Sequence, residues 1–226
     1  MIEIKTNEIN AEKCKIIEKK CDLVFEENYN SALEKEGFVQ VNNIENLNSE
    51  DIYFIYYYNP EEWRIKGTQS NLIIRVLKEH NEFEQITSIE EYTYLSNVFN
   101  KHFLKKFNLT YNDYVLCCVP SHRKSEHNRG PLATFLRNIC VNNKFIDGTD
   151  YLIRHTEIAE QKKVGKRNQN THLSSVKIVD SSKVEGKKII LIDDITTSGS
   201  SLNGCRKILL NSGAKEVICF AFGKDI

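Results

Sequence analysis

A short stretch near the C-terminal end of the chain constrains its fold and chemistry more than any other. Residues 189–201 read IILIDDITTSGSS. Four consecutive aliphatic residues are typical of a strand that is buried on both faces, as in the parallel sheet of an α/β protein. Asp193 and Asp194 follow directly. The pattern therefore predicts two carboxylates at the carboxyl end of a strand, where open α/β sheets bind their ligands.

Small residues follow the acid pair and predict a tight turn before a helix that opens at Leu202. Gly199 relieves the steric limit on such a turn, and successive backbone N–H groups can then converge on one point. The N-terminal end of the following helix directs further unpaired N–H groups and the positive end of its dipole to the same place. A phosphate group fits this arrangement. Hydroxyl side chains extend the turn on both sides of the glycine: Thr196, Thr197, Ser198, Ser200 and Ser201.

The segment differs from the two common phosphate-binding motifs, since it contains neither GxxxxGK[ST] nor GxGxxG. Two carboxylates beside a phosphate repel it unless something else binds them. The pair therefore suggests neutral hydroxyl groups or a divalent cation as ligands. The simplest alternative is a buried strand that ends in a solvated Asp-Asp helix cap. Capping needs one residue of this kind, whereas the segment supplies several, and a sugar phosphate satisfies both halves of the motif.

The order of strand, acid pair, two further residues and TSGSS resembles the signature with which type I phosphoribosyltransferases bind phosphoribosyl pyrophosphate. The resemblance implies that Asp193 and Asp194 hold the ribose 2′ and 3′ hydroxyls and an Mg²⁺ ion, and that residues 196–201 hold the 5′ phosphate. Serine stands at 198 and 201, where the family more often has threonine, and keeps the hydroxyl. The implied fold is an α/β domain with an open, mostly parallel twisted sheet flanked by helices.

A second apolar run, YVLCCV at 114–119, predicts another buried strand that ends at Pro120. The loop that follows, residues 120–131, carries Arg123, Lys124 and Arg129. Short charged loops are common on protein surfaces, so a solvated basic loop is one interpretation. The resemblance implies another, in which this loop receives pyrophosphate. Its VP…RG pattern is most similar to the ComF branch of phosphoribosyltransferase-like proteins, which are linked to DNA-uptake competence.

Between residues 160 and 172 the chain loses its apolar periodicity and becomes polar and basic. A stretch of this kind inside a compact domain is unusual unless it forms a lid or a binding loop. The resemblance implies a mobile cover that closes over the pyrophosphate and excludes water, with Arg167 taking part in catalysis. A nucleic-acid contact through the same basic residues ranks second. The ComF branch carries Arg, Thr, Gln, Arg and Asn in this order, which is matched by Arg154, Thr156, Gln161, Arg167 and Asn170.

The C-terminal part of the chain completes a βαβ unit with the strand at 189. Apolar spacing predicts a helix from Leu202 that ends at Gly213, and residues 216–222 are strand-like. Only four residues follow in this sequence, so we expect no further domain after this unit. Residues 132–142 are a plausible helix after the basic loop, and DYLIR at 150–154 is a short predicted strand.

The N-terminal part of the chain is predicted to form helices over 8–36, 69–80 and 89–107 and an aromatic strand over 51–58. The rings of that strand fit core packing better than base stacking. We divide the chain into a mixed α/β N-terminal extension, residues 1–60, and a phosphoribosyltransferase-like domain, residues 61–226. The extension is expected to serve as a hood over the acceptor or as a subunit interface.

Composition excludes several functional classes. Lys plus Arg equals Asp plus Glu at 31 each, so the chain as a whole does not attract nucleic acid or membranes. No apolar run is long enough to span a membrane and the N-terminus lacks the apolar stretch of a signal peptide, which predicts a cytosolic protein. Seven cysteines without a CxxC pair indicate free thiols. ComF proteins commonly carry an N-terminal zinc cluster; only Cys14 and Cys21 stand there, which leaves a role in DNA uptake without support.

Three functions are compatible with these patterns. The first is an Mg²⁺-dependent phosphoribosyltransferase that uses phosphoribosyl pyrophosphate and an unidentified acceptor. The second is a sensor that binds the same ligand, or a nucleotide, without turnover. The third is a nucleic-acid accessory protein, and a homo-oligomer is open in each case. No general base follows the acid pair, because Thr196 has no useful basicity near neutral pH. Either the acceptor is acidic enough to need none or the protein does not turn over.

Overall fold

The computed structural model describes residues 37–41, 44–62, 64–65, 68–78, 89–110, 113–125, 127–157 and 173–225. These residues form eight strands and four α-helices. In chain order they are β1 (Phe38–Gln40), β2 (Ile52–Tyr58), α1 (Gln69–Leu77), α2 (Ile89–Phe99), β3 (Tyr114–Cys118), α3 (Pro131–Asn143), β4 (Ile146–Asp147), β5 (Leu152–Arg154), β6 (Val176–Ile178), β7 (Lys188–Thr196), α4 (Ser200–Asn211) and β8 (Glu216–Asp225). A π-helical stretch, Asn100–Lys105, continues α2, and a 3-10 turn, Ser181–Lys183, precedes β7.

Six strands form one sheet in the order β1-β2-β8-β7-β3-β4, and every pairing in it is parallel. The four aliphatic residues of β7, Ile189 to Ile192, are completely buried. Strands β5 and β6 form a separate antiparallel ribbon. The predicted α/β fold, an open and mostly parallel sheet flanked by helices, is confirmed.

Helices cover both faces of the sheet, which explains why its central strands are apolar on both sides. On one face, α1, α2 and α3 enclose an aromatic cluster in which the ring centroids of Phe103 and Phe220 lie 4.4 Å apart and those of Phe99 and Phe220 lie 5.1 Å apart. On the other face, α4 packs with the β5–β6 ribbon, which contributes Leu152 and Val176. Among the described residues, none of the helices has the length and apolar character needed to cross a membrane.

The predicted βαβ unit is confirmed, because β7 and β8 are parallel neighbours joined by α4. Its boundaries differ from the prediction. Helix α4 begins at Ser200 rather than Leu202, since Gly199 caps it in a left-handed conformation with φ of 70°. Strand β7 continues through the acid pair to Thr196. Gly213, with φ of 91°, follows the end of α4 as predicted.

Other boundaries changed for local reasons. Pro131 is the first residue of α3 rather than the end of the preceding loop, as suits a residue with a fixed φ and no N–H to place in the helix. Helix α2 gives way to the π-helical stretch after Phe99 instead of continuing as α-helix to 107. The predicted helix over 8–36 lies outside the described residues.

Strands β1 and β2 come from the predicted extension, residues 1–60, and join the same sheet as the acid pair. Strand β2 pairs with β8 from Ile52 to Tyr58, and β1 pairs with the outer side of β2. The aromatic run therefore forms part of the core: Tyr53, Phe54, Ile55 and Tyr56 are each at most 1% exposed. The division of the chain at residue 60, with its hood or interface role, stays a prediction.

Candidate functional site

The chain leaves β3 and β7 in opposite directions across the sheet. After β3, α3 leads to β4 at one edge, whereas after β7, α4 leads to β8 on the other side. The two helices lie on opposite faces. A reversal of this kind opens a crevice between the carboxyl ends of two neighbouring strands, and open α/β sheets bind ligands there. The two loops singled out in the sequence, after β3 and after β7, both start at this crevice.

Asp193 and Asp194 lie near the end of β7, where its ladder with β8 is interrupted. The register pairs Asp193 with Ala221 and Ile195 with Gly223, and it skips Asp194. The carboxylates cap the backbone at this point. The Asp194 N–H donates to Asp193 Oδ1 at 3.0 Å, and the Ile195 N–H donates to Asp194 Oδ1 at 2.6 Å. Neither of these bonds uses an Oδ2 atom, so each carboxylate keeps an oxygen that can accept from a ligand.

Two negative charges on the acid pair are unfavourable, because Asp193 is partly buried and lies beside a second carboxylate. Burial and the neighbouring Asp194 raise the pKa of Asp193 to about 8, although the Asp194 N–H and the positive charges of Lys78 and Arg154 oppose the rise. The ion pairs found within the described ranges do not involve either carboxylate. A cation or a pair of hydroxyl donors would relieve the repulsion.

A sharp turn, residues 197–199, joins β7 to α4. Gly199 has a φ of 70°, and a Cβ atom there would lie 2.5 Å from Ile52 Cδ1, so both its conformation and its close approach to β2 require glycine. The Gly199 N–H donates to Thr196 Oγ1 at 3.2 Å. Thr196 is buried and supports the turn from behind. Its predicted substrate contact stays a prediction.

The remaining hydroxyl groups of the turn lie at its outer side. Thr197 and Ser198 are exposed, and Ser200 and Ser201 form the first turn of α4. The hydroxyls of Ser198 and Ser200 are 2.7 Å apart, and the Thr197 hydroxyl donates to Asp225 Oδ2 at 2.9 Å. The Ser198 and Ser200 hydroxyls and the N-terminal end of α4 suit an anionic oxygen, whereas the proton of the Thr197 hydroxyl is already donated to Asp225.

The β3 loop, defined here as residues 119–130, begins beside the acid pair. The Val119 N–H donates to Ile192 O at 2.9 Å, one residue before Asp193. The three predicted pyrophosphate ligands of this loop are exposed: Arg123, Lys124 and Arg129. The tertiary structure thus places the loop with three cations and the two carboxylates at the carboxyl ends of neighbouring strands. Arg167 and the rest of the predicted cover, 160–172, lie outside the described residues.

Sequence reasoning missed the residue that anchors the end of the β3 loop. Asn128 is 8% exposed, and its Nδ2 donates to Thr149 O at 2.6 Å and to Leu152 O at 2.7 Å. The Asn128 N–H donates to Asp150 Oδ1 at 2.7 Å. An asparagine within a polar loop carries no signal of burial, because its acceptors come from a later part of the chain.

The donor set of the acid pair suits Mg²⁺ bound together with a substrate. Mg²⁺ prefers oxygen ligands and is usually held by one or two carboxylates, with substrate phosphates and water completing its shell. Over the part of the chain that the structure describes, no group of three or more His, Cys, Asp or Glu side chains converges as a metal cage would require. Asp193 and Asp194 therefore fit a shared, substrate-dependent metal position.

Comparison with known proteins relates the C-terminal segment to one family. Residues 149–224, less than half of the chain, match the profile described as "Phosphoribosyl transferase domain". No curated protein is similar to the chain in sequence. Among solved structures, phosphoribosylpyrophosphate synthetase from Mycobacterium smegmatis matches with a TM-score of 0.35 and 11% identity, over 96% of this chain and 60% of that one. The segment 149–224, which includes the acid pair and the Gly199 turn, is thus similar to a phosphoribosyl transferase domain.

Proposed function

We propose that the chain is an Mg²⁺-dependent phosphoribosyltransferase that uses phosphoribosyl pyrophosphate as its donor. One observation carries the proposal: Asp193 and Asp194 lie near the carboxyl end of β7, at the crevice between β3 and β7, and the turn that follows them in the chain leads directly to the glycine-capped start of α4. The segment that holds them is similar to a phosphoribosyl transferase domain. The VP…RG pattern of the β3 loop supports a position nearest to the ComF branch.

The proposed roles divide the donor among three groups of residues. Asp193 and Asp194 would bind the ribose hydroxyls and the metal ion. The turn and the first residues of α4, from Thr196 to Ser201, would hold the 5′ phosphate. The exposed cations of the β3 loop, Arg123, Lys124 and Arg129, would bind pyrophosphate, with Arg167 as a further ligand.

The reaction that this arrangement supports is a displacement at the anomeric carbon. The bond from that carbon to the pyrophosphate oxygen breaks, a bond to the acceptor forms, and the acceptor loses a proton to the surrounding solution. Positive charge develops on the ribose ring near the two carboxylates, and negative charge develops on the pyrophosphate near the basic loop. Protein groups that are fixed in place before the reaction stabilise both charges. Bound Mg²⁺ would supply charge neutralisation at the leaving group.

A second candidate, a protein that binds phosphoribosyl pyrophosphate and regulates a partner without turnover, is favoured by one feature of the site. The residues after the acid pair are Ile195, Thr196 and Thr197, and the Thr196 hydroxyl is buried and accepts the Gly199 N–H. No ionisable side chain therefore follows the pair to accept a proton from the acceptor. Only an acceptor that is already acidic would react at such a site.

Titration calorimetry with phosphoribosyl pyrophosphate tests the proposal. We expect Mg²⁺-dependent binding that Asp193→Asn together with Asp194→Asn weakens about 100-fold or more, since each change removes a charged hydrogen-bonding contact. Asp113→Asn is the matched control. Asp113 lies at the amino end of β3, away from the carboxyl ends of the strands where the acid pair lies, so this variant should bind phosphoribosyl pyrophosphate like the wild type. Unchanged binding by the double variant would refute the assignment.

A pyrophosphate-release assay across purine, pyrimidine and amine acceptors then separates the two candidates. Release with one acceptor class, lost in the double variant, identifies a transferase. Tight Mg²⁺-dependent binding with no release from any acceptor identifies the non-catalytic protein.

A further inference from the structure

Arg154, the last residue of β5, is a buried cation that lies beside the β3 loop. The side chain is 1% exposed. Its guanidinium donates to three neutral acceptors: Nη2 to Pro120 O at 3.2 Å, Nη1 to Ser175 Oγ at 2.6 Å, and Nε to Ser121 O. Two of these acceptors are consecutive backbone carbonyls, which the planar guanidinium binds with donors held in a fixed geometry that an ammonium group lacks.

The backbone of Arg154 holds the same loop at a second point. The Ser125 N–H donates to Arg154 O at 3.0 Å. Arg154 therefore binds the β3 loop on both sides of Arg123 and Lys124, the exposed cations proposed to receive pyrophosphate. Because burial of a charged group is unfavourable unless its donors are satisfied, the guanidinium favours the one loop conformation that presents both carbonyls.

Ser175 connects this contact to the β5–β6 ribbon. Ser175 directly precedes β6, is 2% exposed, and its backbone carbonyl accepts the His155 N–H at 3.0 Å. The guanidinium thus joins the start of the β3 loop to the end of the ribbon where β5 finishes and β6 begins.

We propose that Arg154 is a positioning residue that holds the β3 loop in the conformation that binds the pyrophosphate end of the donor. This inference rests on the proposed function. The 5′-phosphate turn does not depend on Arg154, because its contacts come from Thr196, β2 and α4. Loss of Arg154 should therefore affect one end of the donor and spare the other.

Arg206 provides a matched control, because it is also a buried arginine but serves a different part of the fold. It is 7% exposed and lies on α4. Its guanidinium donates to Glu50 O at 2.8 Å, to Asp51 O and to Cys219 Sγ, and it makes none of these bonds to the β3 loop. Arg206→Met removes the same kind of buried cation as Arg154→Met.

The experiment measures the affinity of the full chain with Mg²⁺ for two probes, inorganic pyrophosphate and ribose 5-phosphate. For Arg154→Met we expect the Kd of pyrophosphate to rise about ten-fold or more, from the loss of hydrogen bonds that order the loop. The Kd of ribose 5-phosphate should stay within about two-fold, as expected for a separate contact set. Arg206→Met should lower the melting temperature without a selective loss of pyrophosphate.

Two milder variants keep the test decisive if Arg154→Met does not fold. Arg154→Lys keeps the charge but not the planar donor set, so it should lose most of the pyrophosphate affinity. Ser175→Ala removes one acceptor and should cause a smaller loss of the same selectivity. Equal weakening of both probes, no change in either, or the same selective loss in Arg206→Met would overturn the role of Arg154. A wild-type chain that binds neither probe would instead overturn the proposed function.

Discussion

At the residue scale, Asp193 combines two properties that oppose each other in the protein without ligand. It lies at the end of the buried part of β7, directly after four completely buried aliphatic residues, and it adjoins a second carboxylate. Burial and that neighbour raise the pKa of Asp193 to about 8. A charged Asp193 therefore destabilises the folded chain, and the proposed ligands would compensate. Such tension between stability and ligand binding is common at functional sites.

This raised pKa predicts how stability depends on pH. A carboxyl whose pKa is higher in the folded than in the unfolded chain loses its stabilising proton as pH rises from about 4, the ordinary aspartate value, through the raised value. Asp193→Asn removes that loss. In the absence of divalent metal, we expect the free energy of unfolding of the variant, relative to wild type, to increase from about pH 5 to pH 8. Urea denaturation across this range measures it, with Asp113→Asn as control; a constant difference would contradict the prediction.

At the element scale, the turn between β7 and α4 depends on strand β2. Phe38 Cζ and Ile52 Cδ1 approach Gly199 so closely that a Cβ atom there would lie 3.2 and 2.5 Å from them. The packing of β1 and β2 thus shapes the proposed phosphate site, although the two strands are far from it in sequence. Gly186 offers a comparison, because it has a similar φ of 69° but a Cβ atom there would meet no other part of the fold within 4 Å.

Alanine substitution separates backbone strain from this contact. Gly186→Ala should cost about 1–2 kcal/mol of unfolding free energy, from the left-handed conformation alone. Gly199→Ala should cost about 1–3 kcal/mol more, because its methyl group overlaps Ile52. Ile52→Val removes the Cδ1 atom, so it should restore part of the unfolding free energy that Gly199→Ala loses, but should not stabilise a chain that keeps Gly199. Urea denaturation of Gly186→Ala, Gly199→Ala, Ile52→Val and the Gly199→Ala/Ile52→Val double variant measures the coupling between residues 52 and 199. Equal costs of alanine at both glycines would show that Ile52 plays no part.

At the scale of the whole molecule, the sheet is continuous across the predicted boundary at residue 60. Strand β2 covers one edge of β8 and brings Tyr53, Phe54 and Ile55 into the core, each at most 1% exposed. A chain of residues 61–226 lacks β1 and β2. Since loss of one large buried side chain costs about 2–5 kcal/mol, and a domain is stable by only about 5–15 kcal/mol, we expect this shortened chain not to fold cooperatively. Near-ultraviolet circular dichroism and urea denaturation measure it; a cooperative transition would instead support a self-sufficient domain from residue 61.

The amino-acid sequence by itself determined those strands and helices whose apolar residues show, by their spacing, which faces are buried. A continuous aliphatic run before Asp193 predicted β7, and apolar residues at 202, 205, 208 and 209 predicted α4. Positions 202, 205 and 209 are completely buried, and position 208 is partly buried. Gly213 marked the end of that helix. The turn at Gly199 was predictable for a different local reason, because a left-handed backbone conformation favours glycine.

Only the tertiary structure decided which of these elements became neighbours. Strands β1, β4 and β6 have two or three residues each, so their pairing depends on adjacent strands rather than on a pattern of their own. The order of strands placed the β3 loop beside the acid pair, and the burial of Arg154 followed from carbonyls that lie more than thirty residues earlier in the chain. Contacts between distant segments depend on how the faces of helices and strands pack against each other. The apolar periodicity of one segment shows which of its faces is buried, but it does not show which other segment covers that face.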